Sequence, residues 1–280
     1  MGAAGWSVQD DTGQRLDFPN GPPRRIVSLA PGATALLFAA GAGDRIVGTS
    51  DYSDEPEAAR AIPRVSDALS LNVERILQLK PDVVVVWENG NSAARIAQLE
   101  RLKLRIYRHR VARLADLAPA LRRLGLLAGQ GAQGERAASA LEQRLKALRA
   151  AYASATPPGV LIQVWDQPVY TVGGTEILSD VLATCGYRNL FAELTTAAPA
   201  LSVEAVLERK PALILALGPD EATGQQWLER WQRFATLPAV AQGRLVSFSD
   251  QRLTRMGPGT VAATEALCAR LAARGDSERP

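Results

Sequence analysis

Histidine is almost missing from this chain: His109 is the only one in 280 residues. Zinc sites draw on several His or Cys ligands, so a metal-capturing site built on a His cluster is excluded, and His-based proton transfer has one candidate. His109 stands in Arg-His-Arg at the end of an expected strand and reads as a surface residue. Cysteine is equally sparse. Cys185 and Cys268 lack Cys-x-x-Cys spacing, which leaves two buried thiols or one disulfide. A disulfide would need an oxidising compartment and would close a loop of about 80 residues, contributing on the order of 4 kcal/mol in the chain-entropy model. No apolar run approaches the roughly 20 residues of a membrane span; the longest, Val83 to Trp87, has the length of a buried strand. The start, Met1-Gly-Ala-Ala-Gly-Trp6, lacks the basic and apolar regions of a signal peptide. Either the protein is cytoplasmic or a signal has been removed, Met-Gly-Ala-Ala resembling a remnant of cloning.

Catalytic motifs are missing too. Gly-x-Ser-x-Gly and the phosphate-cradling Gly-x-x-x-x-Gly-Lys-Ser/Thr do not occur. Gly41-Ala-Gly43 does not complete Gly-x-Gly-x-x-Gly, because position 46 is Ile, and it follows a helix instead of a strand. The expectation is a protein that is not an enzyme, with no catalytic residue, resident metal or cofactor. Excess charge of one sign is also lacking: Lys plus Arg is 32 against 29 for Asp plus Glu. The signs alternate along helices, as in Glu135, Arg136, Glu142, Arg144 and Lys146. A nucleic-acid binder would concentrate basic charge, so no nucleic-acid partner is expected; the Arg-rich stretch from Arg101 to Arg123 reads as a solvated helix face.

What is present is alternation and repetition. Residues 1–23 are polar, with turns at Asp10 to Gly13 and Pro22-Pro23. Strands follow at Arg25 to Leu29 and Ile46 to Gly48, with a helix from Thr34 to Ala40 between them, ended by Gly41. Asn72-Val-Glu-Arg-Ile-Leu-Gln-Leu-Lys-Pro81, then the strand Val83 to Trp87, is echoed 130 residues later by Ser202-Val-Glu-Ala-Val-Leu-Glu-Arg-Lys-Pro211, then Leu213 to Leu217. In each copy a capping side chain can accept from the first helical turn, apolar positions 73, 76, 77 and 203, 206, 207 share a face, Lys sits in the last turn and Pro stops the helix. A second helix closed by Gly precedes each copy: Leu36 to Gly41, and Ile177 to Gly186. Alternating strands and helices imply parallel sheets with right-handed crossovers. The expected fold class is therefore α/β: two Rossmann-like lobes with parallel sheets, 1–130 and 157–280, joined by one long rigid helix within 131–156. That helix, Gly134 to Ala153, is rich in strong helix formers and would span about 30 Å.

In open α/β folds ligands bind beyond the carboxyl ends of the strands. The loops expected there contain Pro31-Gly32, Asp51-Tyr52-Ser53, Trp87 to Gly90, Trp165 to Tyr170, and Asp250 to Pro258. Aromatics make up only 5% of the chain, yet Tyr52, Trp87, Trp165 and Tyr170 fall in or beside these loops. A large flat ligand held by apolar burial and stacking in a cleft between the lobes is the expectation, with Gly32 and Asp250 as further contacts.

Several stretches resemble the cobalamin-binding periplasmic proteins of ABC importers: Val27-Ser-Leu-Ala-Pro31, Ser50-Asp-Tyr-Ser-Asp54, Asn72-Val-Glu74, Leu79-Lys-Pro-Asp82, Trp87-Glu-Asn-Gly-Asn91 and Arg255-Met-Gly-Pro258, in order across residues 24–273. Lys-Pro-Asp and Ser-Leu-Ala-Pro are shared with haem- and siderophore-binding relatives; the Tyr-Ser-Asp loop, the Trp-x-x-Gly-Asn strand end and the cysteine positions are closer to the cobalamin branch. The resemblance implies the two-lobed fold of class III periplasmic binding proteins. It also implies Tyr52, Trp87, Trp165 and Arg255 around the ligand, a Cys185–Cys268 disulfide, a periplasmic address and delivery to a dimeric permease by a monomeric carrier. Glu74 and Glu204, equivalent residues of the echo, would be its docking carboxylates, beyond the helix-dipole role open to any first-turn Glu. The chain departs from the pattern where Ala68-Leu69 replaces a tryptophan and Ala198 or Ala200 an aromatic. A wider, less aromatic pocket leaves room for a precursor corrinoid, haem or a siderophore. From another class, a chelatase-like tetrapyrrole enzyme would need a metal-binding group the sequence does not offer.

Overall fold

The computed structural model describes residues 5–66 and 70–275, so Ala68 and Leu69 and the first residues, Met1 to Ala4, lie outside it. The chain divides into two compact α/β units. The first takes in the residues up to Val111, with Ala115–Gln143 and Arg255–Pro258; the second takes Ala112–Leu114, Arg144–Thr254 and the residues from Gly259 on.

The first unit opens with a hairpin, β1 (Trp6–Gln9) and β2 (Arg15–Phe18), where the sequence suggested only polar turns. Asp10 forms its turn, accepting from the Thr12 and Gln14 N–H groups at 2.9 Å each. The main sheet then builds through β3 (Ile26–Ser28), α1 (Pro31–Ala39), β4 (Ile46–Ser50), β5 (Arg64–Ser66), α2 (Val73–Gln78), β6 (Val83–Trp87), α3 (Ala93–Arg101) and β7 (Ile106–His109). Its five strands are parallel in the order β5-β4-β3-β6-β7. Val83 to Val86 are fully buried, as a strand covered on both faces requires. Asp82 ties the entry of β6 to β3 by accepting from the Arg24 and Arg25 N–H groups at 2.7 and 2.9 Å, which gives Lys-Pro-Asp a structural role. α4 (Leu117–Leu127) follows, and then α5 (Gly131–Ala151), inside which the chain passes from the first unit to the second.

The second unit continues with β8 (Gly159–Gln163), β9 (Val169–Tyr170), α6 (Ile177–Thr184), β10 (Arg188–Asn189), β11 (Ala200–Leu201), α7 (Val203–Arg209), β12 (Leu213–Ala216), α8 (Glu221–Glu229), α9 (Pro238–Ala241), β13 (Leu245–Ser247) and α10 (Pro258–Gly275). Its sheet is parallel in the order β10-β8-β12-β13. Trp231, wholly buried, anchors the core through its indole N–H to Gln163 Oε1 at 2.9 Å. Cys185, at the end of α6, is disulfide-bonded to Cys268 of α10.

The echo is real in both units. Asn72 Oδ1 accepts from Arg75 N–H at 2.9 Å, and Ser202 Oγ from Ala205 N–H at 3.2 Å. The lysines depart from expectation: they lie beyond the last helical turn, Lys80 at φ 45° and Lys210 at φ 47°. This left-handed termination, usually supplied by glycine, leads directly into the proline.

His109 also departs from expectation. It is 2% exposed, and its Nδ1 lies 3.0 Å from Asp11 Oδ2. The Asp11 carboxylate further accepts from Tyr107 Oη at 2.9 Å, Arg123 Nε at 2.7 Å and the Arg110 N–H at 2.8 Å. Burial opposes charge on Asp11. The His109 ring, the Arg110 N–H and the Arg123 guanidinium outweigh that and hold its pKa at about 2. The hairpin turn is thus plugged into the end of β7 by a buried charge cluster, which covers the histidine.

Candidate functional site

In a parallel sheet every strand delivers its carboxyl end to the same edge, and the loops there form the usual binding surface. At this edge of the first unit, β4 runs into Tyr52, which is 62% exposed with φ at 62°. The loop beneath is fixed by buried hydroxyls: Thr34 Oγ1 donates to Ser28 Oγ at 2.9 Å, and Ser50 and Ser53 meet at 3.2 Å. Arg64 reinforces it, donating to Ser53 O at 3.0 Å and Asp54 Oδ1 at 2.9 Å. Arg255 reaches the other oxygen of Asp54 at 3.8 Å, although the chain on either side of Arg255–Pro258 belongs to the second unit.

Gly32, in the first turn of α1, explains how Arg255 is seated. A Cβ there would stand 2.2 Å from the Arg255 carbonyl oxygen and 2.5 Å from that of Met256. Gly32 therefore makes close backbone contact with the arginine's own segment. Trp87 ends β6 and is half-buried. A hollow of about 180 Å³ lies at this edge, with Ser50, Asp51, Tyr52, Trp87, Asn91 and Arg95 in its wall.

In the second unit Trp165 follows β8 and is 56% exposed. Its ring meets that of Trp227, from α8, at 6.0 Å between centroids and 56° between planes. The loop is tethered to α8 by Arg230, whose NH1 donates to Asp166 Oδ1 at 2.7 Å and to its carbonyl at 2.6 Å. A second hollow, about 320 Å³, is lined by Trp165, Leu217, Trp227, Phe248, Asp250 and Leu253, among others. Asp250 faces it already paired with the Arg252 guanidinium at 2.6 Å. Tyr170 stands in β9 and contributes backbone, accepting from Val164 N–H at 2.9 Å and donating to Trp165 O at 3.2 Å.

The expected residues thus fall into two sets. Gly32, Tyr52, Trp87 and Arg255 gather at the carboxyl edge of the first sheet, and Trp165 and Asp250 share the second hollow. Glu74 and Glu204 are exposed in the first turns of α2 and α7, away from these loops in sequence. Sequence reasoning missed Trp227, Arg230 and Arg64, and gave Asn91 only as part of a resembling stretch. The i, i+4 pair Trp227 and Trp231 was the available signal for the first of these. Among the described residues no group of three or more His, Cys, Asp or Glu could hold a metal ion, and no helix is long and apolar enough to cross a membrane.

Comparison with known proteins places this geometry in context. A family model described as periplasmic binding protein matches residues 26–251. A vitamin B12-binding protein of Vibrio cholerae serotype O1 is 35% identical over 247 residues, covering 88% of this chain and 88% of its own. The crystal structure of a periplasmic vitamin B12-binding protein of Vibrio cholerae superposes with a TM-score of 0.81 at 33% identity, covering 91% of this chain and 99% of that one. A periplasmic haem-binding protein from Roseiflexus sp. RS-1 superposes at 0.76 with 26% identity, covering 90% and 99%.

Proposed function

The chain belongs to the periplasmic binding protein family, and from that premise we propose that it is the substrate-binding component of an ABC importer for cobalamin or a related corrinoid. The observation that carries the reading is the pair of aromatic-edged strand-end surfaces, Tyr52 and Trp87 in one unit and Trp165 with Trp227 in the other. Rings of this kind suit a broad, flat, partly apolar molecule. Relatives named as vitamin B12-binding proteins, at 35% identity across most of the chain, support the corrinoid class. Asp250, paired with Arg252, adds a polar group to the hollow that Trp165 lines, and Arg255 reaches Asp54 in the loop of Tyr52, as orientation of such a ligand needs.

The carrier acts as a monomer in the periplasm and has no catalytic task. Glu74 and Glu204 are equivalent carboxylates at matching helix starts, and two equivalent charges fit a permease that is itself a dimer. Such rim charges steer encounter and fix register.

Haem is the second reading. A haem-binding relative at 26% identity favours it, and Tyr52, exposed at the end of β4, is a candidate axial ligand. Titration with cyanocobalamin, haem and ferric siderophores, followed by absorbance and calorimetry, separates the classes. Saturable, stoichiometric binding of cyanocobalamin in preference to the others is expected. A Soret shift abolished by Tyr52→Phe, with no cobalamin binding, would overturn the corrinoid assignment.

A further inference from the structure

The turn that follows β6 is built around a residue with no side chain. A Cβ added to Gly90 would stand 1.9 Å from Trp87 Cε3, 2.2 Å from Cδ2 and 2.4 Å from Cζ3. No real structure tolerates such contacts, so the indole lies directly on the Gly90 Cα. Gly90 does not adopt the left-handed φ that favours glycine. Its φ does not bar alanine, and the three atoms nearest the added Cβ all belong to the tryptophan ring.

Asn91 closes the turn from the other side. Its N–H donates to the Trp87 carbonyl at 2.8 Å. Its Oδ1 accepts the Trp87 N–H at 2.7 Å, so one residue holds both backbone groups of the tryptophan. Its Nδ2 donates to the Leu29 carbonyl at 3.3 Å, which ties the ends of the neighbouring strands β6 and β3. The indole Nε1 is buried with no hydrogen-bond partner among the described residues. Packing against Gly90, and not a polar anchor, therefore sets the angle of the ring. Gly90 and Asn91 both line the hollow that Trp87 lines.

The geometry points to Gly90 and Asn91 as positioning residues of the ligand site. Trp87-Glu-Asn-Gly-Asn91 is a seat that fixes the indole in one orientation before any ligand arrives. This rests on reading Trp87 as a ligand-facing ring. A ring already immobilised loses no rotamer freedom on binding, so its contact surface converts more fully into affinity. It also has one attitude to present, which makes the seat a determinant of which flat ligands fit.

The test uses the full chain as wild type, Trp87→Ala, Gly90→Ala and the double variant. Ligand-free near-ultraviolet circular dichroism, thermal unfolding and cyanocobalamin affinity are measured for each. The difference between wild type and Trp87→Ala isolates the band of the fixed indole. Gly90→Ala is expected to lose that band and to raise the Kd on the order of tenfold. In the Trp87→Ala background the same glycine change should alter neither spectrum nor Kd, because the clash has gone. A retained band in Gly90→Ala, or an equal penalty with and without the indole, overturns the proposal. If Gly90→Ala alone does not fold, recovery of folded protein in the double variant supports it and failure of the double variant overturns it. Asn91→Ala should diminish the band; an unchanged band removes Asn91 from the seat. If Trp87→Ala leaves cyanocobalamin affinity untouched, the ligand assignment fails, while the ligand-free spectra still decide whether Gly90 orients the ring.

Discussion

The two units solve one problem in different ways. Each must present a tryptophan where a parallel strand ends. In the first, Trp87 is half-buried and held by its own turn, three and four residues downstream. In the second, Trp165 is 56% exposed, and its support comes from far along the chain: the Trp227 ring at 6.0 Å and the Arg230–Asp166 pair at 2.7 Å. The first arrangement is local and depends on a missing side chain. The second is long-range and depends on an ion pair and a second ring. The units also differ in what secures them as folds. The second carries the Cys185–Cys268 bond, and the first carries the buried Asp11 cluster.

The contrast can be broken most forcibly at the disulfide. Its partners are 83 residues apart, and opening a loop of that size is expected to remove about 4 kcal/mol. Cys185→Ala with Cys268→Ala should lower the denaturant midpoint of the second unit and leave that of the first in place. Fluorescence of Trp227 and Trp231, read with and without reductant, checks this; equal loss in both units would show that they unfold as one.

Asp11→Asn is the matching blow to the first unit. A carboxyl held at about 2 against an ordinary 3.8 contributes on the order of 2 kcal/mol at neutral pH. Because the folded value is the lower one, this stability is fully present above pH 4 and is lost as pH falls through 2. Wild type and Asp11→Asn should therefore differ in unfolding free energy at pH 7 and converge near pH 2. Curves that stay parallel down to pH 2 would remove the cluster from the account.

A smaller effect sharpens the comparison of the rings. Arg230→Met cuts the tether of the Trp165 loop and is expected to weaken cyanocobalamin binding by about 1 kcal/mol, with the Trp87 band unchanged. The pair is about a quarter exposed on both sides, so its effect on overall stability should stay below about 1 kcal/mol. The smallest effect on the ligand is expected from Glu74→Ala combined with Glu204→Ala. Cyanocobalamin affinity should not move, whereas association with permease-containing vesicles should fall. Unimpaired association by the double variant would count against docking through these carboxylates.

Much of the fold was legible because its determinants are local. Four successive valines announce β6, and Asn72 and Ser202 announce the two helices they cap. Tyr52 and Trp165 were legible for the same reason: topology puts loops after strands, and these rings stand in those loops, with Trp87 at a strand end and Tyr170 inside β9. What the sequence hid depends on partners distant along the chain. His109 looked exposed in Arg-His-Arg, but Asp11 reaches it from the opposite end of the first unit's sequence. Arg230 carried no signal in the sequence, because its partner Asp166 lies 64 residues away. Lys80 and Lys210 were expected in the last turn, but each helix stops before its lysine, which stands past the end in a left-handed conformation. Gly32, expected at the ligand, is pressed against Arg255 and Met256, a contact that no local pattern encodes.

That last contact bears on how the protein is made. The first unit includes Arg255–Pro258, so synthesis must pass every strand of the second sheet before the first unit owns all its parts. A fragment stopping at Thr254 would contain every strand of the first sheet and still leave Gly32 facing an empty place. Cutting the gene into two separately expressed halves, however the seam is chosen within α5, would give one half that lacks a piece and another that carries it as a stray.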